Sequence, residues 1–178
     1  MSKYVMVRLI RFCMACGTEL GLAAPCRCHS CGHEYWRNPK PCGGACVVND
    51  EKLLLVLRAK DPGAGLWDLP GGFCDPEEHP LATAHREVQE ETGLTVHSMR
   101  FLGMWIDTYG NEDPPEITLN IYFMGQAHRP ELARVSDETV EVRWFSPEDI
   151  PMDTLAFAHV ERAIRCWSEA RDGEQTSI

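Results

Sequence analysis

Gly72-Phe73-Cys74-Asp75-Pro76-Glu77-Glu78 and, after seven intervening residues, Arg86-Glu87-Val88-Gln89-Glu90-Glu91-Thr92-Gly93-Leu94 make up the stretch that decides the fold of this chain. Between Gly72 and Leu94 lie six carboxylates and a single strong base, Arg86. Pro80 to Thr92 reads as a helix, with Pro80 suited to its first turn and Gly93 to the residue after its end. Glu87 then stands three and four positions before Glu90 and Glu91, which places all three on neighbouring parts of one helix surface. Carboxylates gathered in this way repel unless a cation sits among them. Hard divalent ions take oxygen ligands and share their shell with substrate phosphates. The residues alone therefore point to metal-assisted phosphate chemistry, against the blander reading of a solvated acidic helix face.

The same positions, Gly72, Glu78, Arg86, Glu87, Val88, Glu90, Glu91, Gly93 and Leu94, satisfy the pattern G-x5-E-x7-R-E-U-x-E-E-x-G-U, with U aliphatic. The chain thus resembles the Nudix hydrolases, enzymes that cleave a nucleoside diphosphate linked to another moiety. The resemblance implies an α/β fold, a Nudix-type α/β/α sandwich built on a mixed sheet. It implies that Glu87, Glu90 and Glu91 ligate Mg²⁺ or Mn²⁺, joined by the Gly72 carbonyl oxygen. Arg86 is expected to orient box carboxylates, and Glu78 to support the box loop. The general base is expected among the box glutamates or on a downstream loop, where Glu138 leads and Glu141 follows. A Nudix domain that binds nucleotides without turnover is the alternative, although every box carboxylate is present.

Around the box, Gly44–Val48 and Lys52–Leu57 flank the turn-rich Asn49-Asp50-Glu51 and read as a hairpin. Their almost continuous apolar character predicts burial on both faces. Leu66–Gly72 reads as a short strand entering the box. Further strands are expected at 95–109, 116–126 and 140–145. In the second, Ile117, Leu119, Ile121 and Phe123 alternate with Thr118, Asn120, Tyr122 and Met124. Asp153 is expected to cap a last helix whose Phe157, Val160, Ile164 and Trp167 form a core stripe. The tail from Arg171 to Ile178 is expected to be disordered. Trp67, Phe73, Trp105, Tyr109 and Tyr122 are the aromatics available to stack on a base, although a strand aromatic more often belongs to a core.

Nearer the N-terminus, Cys13-Met14-Ala15-Cys16-Gly17 and Cys28-His29-Ser30-Cys31-Gly32 are two C-x2-C-G knuckles with eleven residues between Cys16 and Cys28. Paired knuckles of this kind supply four thiolates to one structural Zn²⁺. Cys26, His29 and His33 are spare to such a site. The following Asn38-Pro39-Lys40-Pro41 resembles the N-P-x-P junction of Nudix hydrolases with an N-terminal zinc ribbon, such as the NADH pyrophosphatase group. The expected organisation is a zinc ribbon over residues 1–40, a Nudix domain over 41–170 and the tail over 171–178. The ribbon is expected to serve structural support or a homodimer rather than substrate contact.

Composition narrows the partners. The formal net charge is −10, but residues 1–46 hold six Lys/Arg against two Glu, so the acidity lies in the remainder. Such a surface disfavours extended contact with a nucleic-acid backbone, while bound metal ions reverse the local sign for a small nucleotide. No apolar run approaches the ~18 residues of a membrane span, and Met1–Phe12 lacks the pattern of a signal peptide. Nine cysteines then read as reduced thiols and metal ligands of a cytoplasmic protein. The downstream S-Q-P-W-P-F-P run of the NADH-hydrolysing group is missing; Val96–Leu102 stands in its place. The favoured substrate is ADP-ribose, FAD or a similar dinucleotide or nucleotide sugar.

Overall fold

The computed structural model describes residues 9–111 and 115–171. Two small two-stranded sheets come first, β1 (Leu9–Phe12) with β2 (Glu19–Ala23) and β3 (Cys26–Arg27) with β4 (Glu34–Tyr35). A seven-stranded mixed sheet follows, comprising β5 (Lys40–Asn49), β6 (Lys52–Arg58), β7 (Trp67–Asp68), β8 (Gly71–Phe73), β9 (Thr95–Tyr109), β10 (Glu116–His128) and β11 (Thr139–Phe145). Its main path runs β11-β6-β5-β10-β9, antiparallel except where β10 lies parallel to β5. The helices α1 (Pro80–Thr92) and α2 (Ala158–Arg171) cover opposite faces, which gives the expected α/β/α sandwich.

The apolar run of β5 is explained by this layering. Ala45 and Val47 pack with Ala84 and Val88 of α1, while Cys46 and Val48 pack with Val160, Ile164 and Trp167 beneath α2. A strand covered on both faces has no polar side to show in its sequence. β6 behaves alike, with Leu54 on the α1 side and Leu53 and Leu55 on the α2 side.

The hairpin of β5 and β6 holds only at its turn, through Val48↔Leu53 and Asn49↔Lys52. Beyond it the two strands part, and the expected single strand 66–72 fills the gap as two pieces. β7 pairs with β6 through Val56↔Asp68 and Leu57↔Trp67, and β8 pairs with β5 through Gly43↔Gly72 and Gly44↔Gly71. The interruption falls at Leu69-Pro70, where proline removes a ladder donor. This splayed sheet brings the start of the glutamate-rich segment between the two helical layers.

Asp153 does not cap the last helix. It lies in the 3-10 turn Met152–Thr154, and α2 begins only at Ala158. The stripe Val160, Ile164 and Trp167 is fully buried as expected, but Phe157 precedes the helix and is only partly buried. Residues 172–178 of the expected tail, and Met1–Arg8 of the ribbon, lie outside the described residues. None of the described helices is long and apolar enough to cross a membrane.

Candidate active site and cysteine cluster

Close approach of α1 to the sheet depends on glycine. A Cβ on Gly43 would collide with the Pro80 carbonyl oxygen and lie 2.8 Å from Thr83 Cβ, and one on Gly72 would collide with the Glu87 carboxylate. The helix starts at Pro80 with His79 Nδ1 accepting the Leu81 N–H at 3.1 Å, and ends where Gly93, at φ 70°, turns left-handed. Thr83, Ala84, Glu87, Val88 and Glu91 therefore form its inward face. Two carboxylates are buried along with the apolar residues, at 9% and 8% exposure for Glu87 and Glu91.

Arg86 organises the acidic surface. Its guanidinium forks onto Glu78, with Nε to Oε1 at 3.1 Å and Nη2 to Oε2 at 3.0 Å, and it also donates to Glu87 at 2.7 Å, Glu90 at 2.9 Å and the Phe73 carbonyl at 3.1 Å. Planar bidentate geometry of this kind is specific to arginine. The Arg86 hydrogen bonds hold the Glu78 carboxyl down to about 2, and Glu78 in turn accepts from Asp75 N–H and Thr83 Oγ1. Glu78 thus ties the loop to the helix.

Glu87 and Glu91 move the other way. Burial raises both, Glu91 to about 9, with the charge of Asp68 adding to the effect at Glu91. Glu91 Oε2 accepts the Gly71 N–H at 3.2 Å. A cation placed between them would favour the ionised forms. The hard oxygen donors of Glu87, Glu90 and Glu91 suit a divalent ion such as Mg²⁺, and the missing side chain of Gly72 leaves the room that the Glu87 carboxylate fills.

Glu138 is brought toward this group. Its charge acts on Glu87, its carbonyl accepts the Ala59 N–H, and its exposed carboxylate pairs with Lys60 at 3.0 Å. Next to it, Thr139 Oγ1 donates to the Glu91 carbonyl. Glu141 is placed differently. It pairs with Arg143, whose guanidinium lies over the Trp67 and Phe145 rings of the α2-side core.

A cleft opens beside Gly71 and Gly72, bordered by Arg58, Asp68, Phe73, Tyr109, Asn120, Tyr122, Phe157 and His159 among others. The aromatic wall is continuous. Phe73 meets Tyr109 edge-on at 5.3 Å, Tyr109 leans on Phe157 at 5.7 Å, and Phe157 stacks on His159 at 5.3 Å. Arg58 covers Phe157 at 5.1 Å and pairs with buried Asp68 at 2.8 Å. Asp68 is raised by burial, against the pull of Arg58. Burial also works to raise Asp107, but the bonds from His159 and the Thr108 N–H prevail and hold its carboxyl low.

Of the five aromatics singled out from the sequence, Phe73, Tyr109 and Tyr122 line the cleft, whereas Trp67 and Trp105 pack with the α2-side core. Arg58, Asp68, Asp107 and His159 were not singled out from the sequence, and Phe157 was expected in the core stripe rather than at the cleft. The sequence of β10 shows the alternation alone; the structure adds that Thr118, Asn120 and Tyr122 are more buried than Ile117, Leu119 and Ile121. A strand that buries its polar face has something polar to line.

The four knuckle cysteines converge. Their sulfurs all lie within 4.8 Å of one another, the one such group of metal-ligating side chains among the described residues. Thiolates arranged tetrahedrally around zinc would stand about 3.8 Å apart, and Cys13–Cys31 and Cys16–Cys28 stand at 3.6 and 3.8 Å. The Tyr35 hydroxyl pulls the Cys13 thiol down to about 6, while at Cys31 the His33 backbone bond is outweighed by the other thiols of the cluster, which push it up, so the four sulfurs share their protons unequally. The cluster is compatible with a small zinc ribbon. Cys26 is outside it, and His33 rests edge-on against Tyr35.

Comparison with known proteins agrees with this geometry. The model of the NUDIX domain matches residues 40–166. An ADP-ribose pyrophosphatase from Methanocaldococcus jannaschii is 31% identical over 127 residues, covering 71% of this chain and 72% of the relative. An NAD-capped RNA hydrolase, NudC, from Chromobacterium violaceum is 26% identical over 158 residues; the match covers 87% of this chain but only 57% of that longer protein. The crystal structure of a NUDIX hydrolase from Nitrosomonas europaea superimposes with a TM-score of 0.73 at 24% identity, covering 93% of this chain and 94% of the other.

Proposed function

We propose, from the premise that this chain belongs to the NUDIX hydrolase family, that it cleaves the diphosphate bond of a nucleoside diphosphate linked to another moiety. ADP-ribose and FAD are the favoured substrates. The observation that carries this reading is the meeting of two features at Gly71-Gly72. The same two residues border the aromatic cleft and touch Glu91 and Glu87. A substrate ring held in the cleft would extend its diphosphate toward the carboxylates.

Glu87, Glu90 and Glu91, with the Gly72 carbonyl, are assigned to hold Mg²⁺ or Mn²⁺. When bound, the ion neutralises phosphoryl oxygens and activates water for attack. The chain supplies the rest. Arg86 fixes Glu87 and Glu90 in their rotamers, so the donors need little reorganisation on loading. The Gly71 N–H orients Glu91. Glu138 is assigned to accept a proton from the attacking water, exchanging its exposed pair with Lys60 for that role, because it adjoins Thr139, which bonds the Glu91 carbonyl, while Glu141 pairs with Arg143 above the α2-side core. The converging cysteines are assigned to one structural zinc ion, whose binding would supply folding free energy to a segment too short for a core.

The test is a hydrolysis panel with Mg²⁺, using ADP-ribose, FAD and NADH, with chromatography of the released mononucleotide. Release of AMP from ADP-ribose or FAD is expected. Failure to hydrolyse any diphosphate substrate at saturating Mg²⁺ or Mn²⁺ would reject the reading.

A further inference from the structure

Three side chains more than nine-tenths buried end on the cleft: Asn120 at 5% exposure, Tyr122 at 4% and His159 at 6%. Each carries a polar atom with no hydrogen bond to the described residues, namely Asn120 Oδ1, Tyr122 Oη and His159 Nε2. No buried side-chain nitrogen or oxygen among the described residues lacks a partner, so these three atoms are reached from the cleft itself.

Their hydrogen-bonding polarity is set from behind. Asn120 Nδ2 lies 3.4 Å from the Trp105 carbonyl oxygen and 2.9 Å from Thr118 Oγ1, while Thr118 Oγ1 itself donates to the Asp107 carbonyl. A carbonyl only accepts, so the amide nitrogen must face it and Oδ1 must face the cleft. At His159 the backbone N–H and Nδ1 converge on Asp107 Oδ2, at 3.0 and 2.9 Å. An ionised carboxylate also only accepts. Nδ1 therefore carries the hydrogen, and in the neutral ring Nε2 presents a lone pair. With the His159 ring neutral, the lumen holds two acceptors and one hydroxyl, beside the wall formed by Tyr109 and Phe157.

We propose that this cleft takes the base of the substrate and selects adenine, with Asn120 Oδ1 and His159 Nε2 reading its exocyclic amino group. The inference rests on the diphosphate-cleaving reading and names its substrate class. An amino group offers two hydrogens to two acceptors, and Tyr122 Oη can donate to a neighbouring ring nitrogen. An oxo group in the same place, as in hypoxanthine, sets lone pairs against lone pairs and leaves both protein acceptors unsatisfied. Asp107 is the positioning residue, since it fixes the His159 tautomer without touching the base. The flat base would lie against Tyr109, since Arg58 and His159 already cover the Phe157 ring; such a contact tolerates any base, so discrimination falls to the polar atoms.

The experiment is calorimetric titration of the full chain with AMP and with IMP, which differ at the group being read. AMP is expected to bind about tenfold or more tightly than IMP, the consequence of one or more buried acceptors left unmade. In His159→Leu and Asn120→Leu the ratio is expected to fall below about threefold, while His159→Gln, which can restore an acceptor, recovers part of it. Equal or tighter binding of IMP by the unaltered protein would overturn the proposal, whatever the variants do. So would an unchanged ratio in both leucine variants. Discrimination of AMP from IMP in a protein that hydrolyses no diphosphate would uphold this inference and remove the hydrolytic reading. Hydrolysis of the adenine and hypoxanthine forms of a diphosphate substrate at equal kcat/KM would do the reverse.

Discussion

Glu91 is a carboxylate buried beside other carboxylates, and its energetics can be measured without substrate. Burial and the Asp68 charge push its carboxyl in the folded chain to about 9, whereas an unfolded glutamate titrates near ~4.3. Between those values the folded state binds the extra proton, so stability falls as pH rises through that window. In the presence of chelator, the thermal midpoint is therefore expected to decline from pH 5 to pH 9. Glu91→Gln, nearly the same shape but never charged, should flatten the decline and raise the midpoint at pH 8. An equal decline in the variant would show that Glu91 is not the strained group. This burial could not be read from the sequence, where Glu91 looks like any other acidic box residue. Its identity as a box residue could, because nine positions at fixed spacing lie on one loop and one helix. Asp107 and His159 are 52 positions apart and meet only because β9 and the start of α2 border one cleft; nothing local announces such a pair.

At the scale of elements, the contact between α1 and β5 rests on the missing side chain of Gly43. A Cβ there meets a backbone carbonyl that no rotamer change can move. Gly43→Ala is accordingly expected to cost about 1–3 kcal/mol, as overpacking in a rigid core does, measured by urea denaturation. A change under ~0.5 kcal/mol, the scale of ordinary surface substitutions, would mean that the helix can slide. The core strands were legible because continuous apolar runs bounded by turn residues have few other uses. The splaying of β5 from β6 was not, since the sequence of a hairpin marks its turn but not where its strands separate. The polar inward face of β10 was visible as alternation yet carried no sign of which face was buried. For Asp153, a good capping residue was present, but the chain still needed two turns and Phe157 before α2 could dock.

Over the whole molecule, charge divides between the two regions. The acidic part holds its box carboxylates behind the Gly71-Gly72 border of a cleft, and the N-terminal part gathers four sulfurs. Protein purified under reducing conditions without chelator is expected to contain about one zinc per chain, measured by atomic emission. Cys28→Ser should lower the zinc content and the solubility, while the fraction that remains folded keeps its substrate preference. Absence of zinc from the unaltered chain would contradict the assignment. The account stands or falls, however, on whether the box glutamates support diphosphate hydrolysis. The direct measurement is the initial rate of AMP release from ADP-ribose or FAD at saturating Mg²⁺, for the unaltered chain and for Glu87→Gln and Glu91→Gln, each with its thermal midpoint recorded. Cation-dependent release by the unaltered chain, reduced at least ~10²-fold in both variants with the fold retained, is the predicted result. Rates within tenfold of the unaltered chain in folded variants would contradict it.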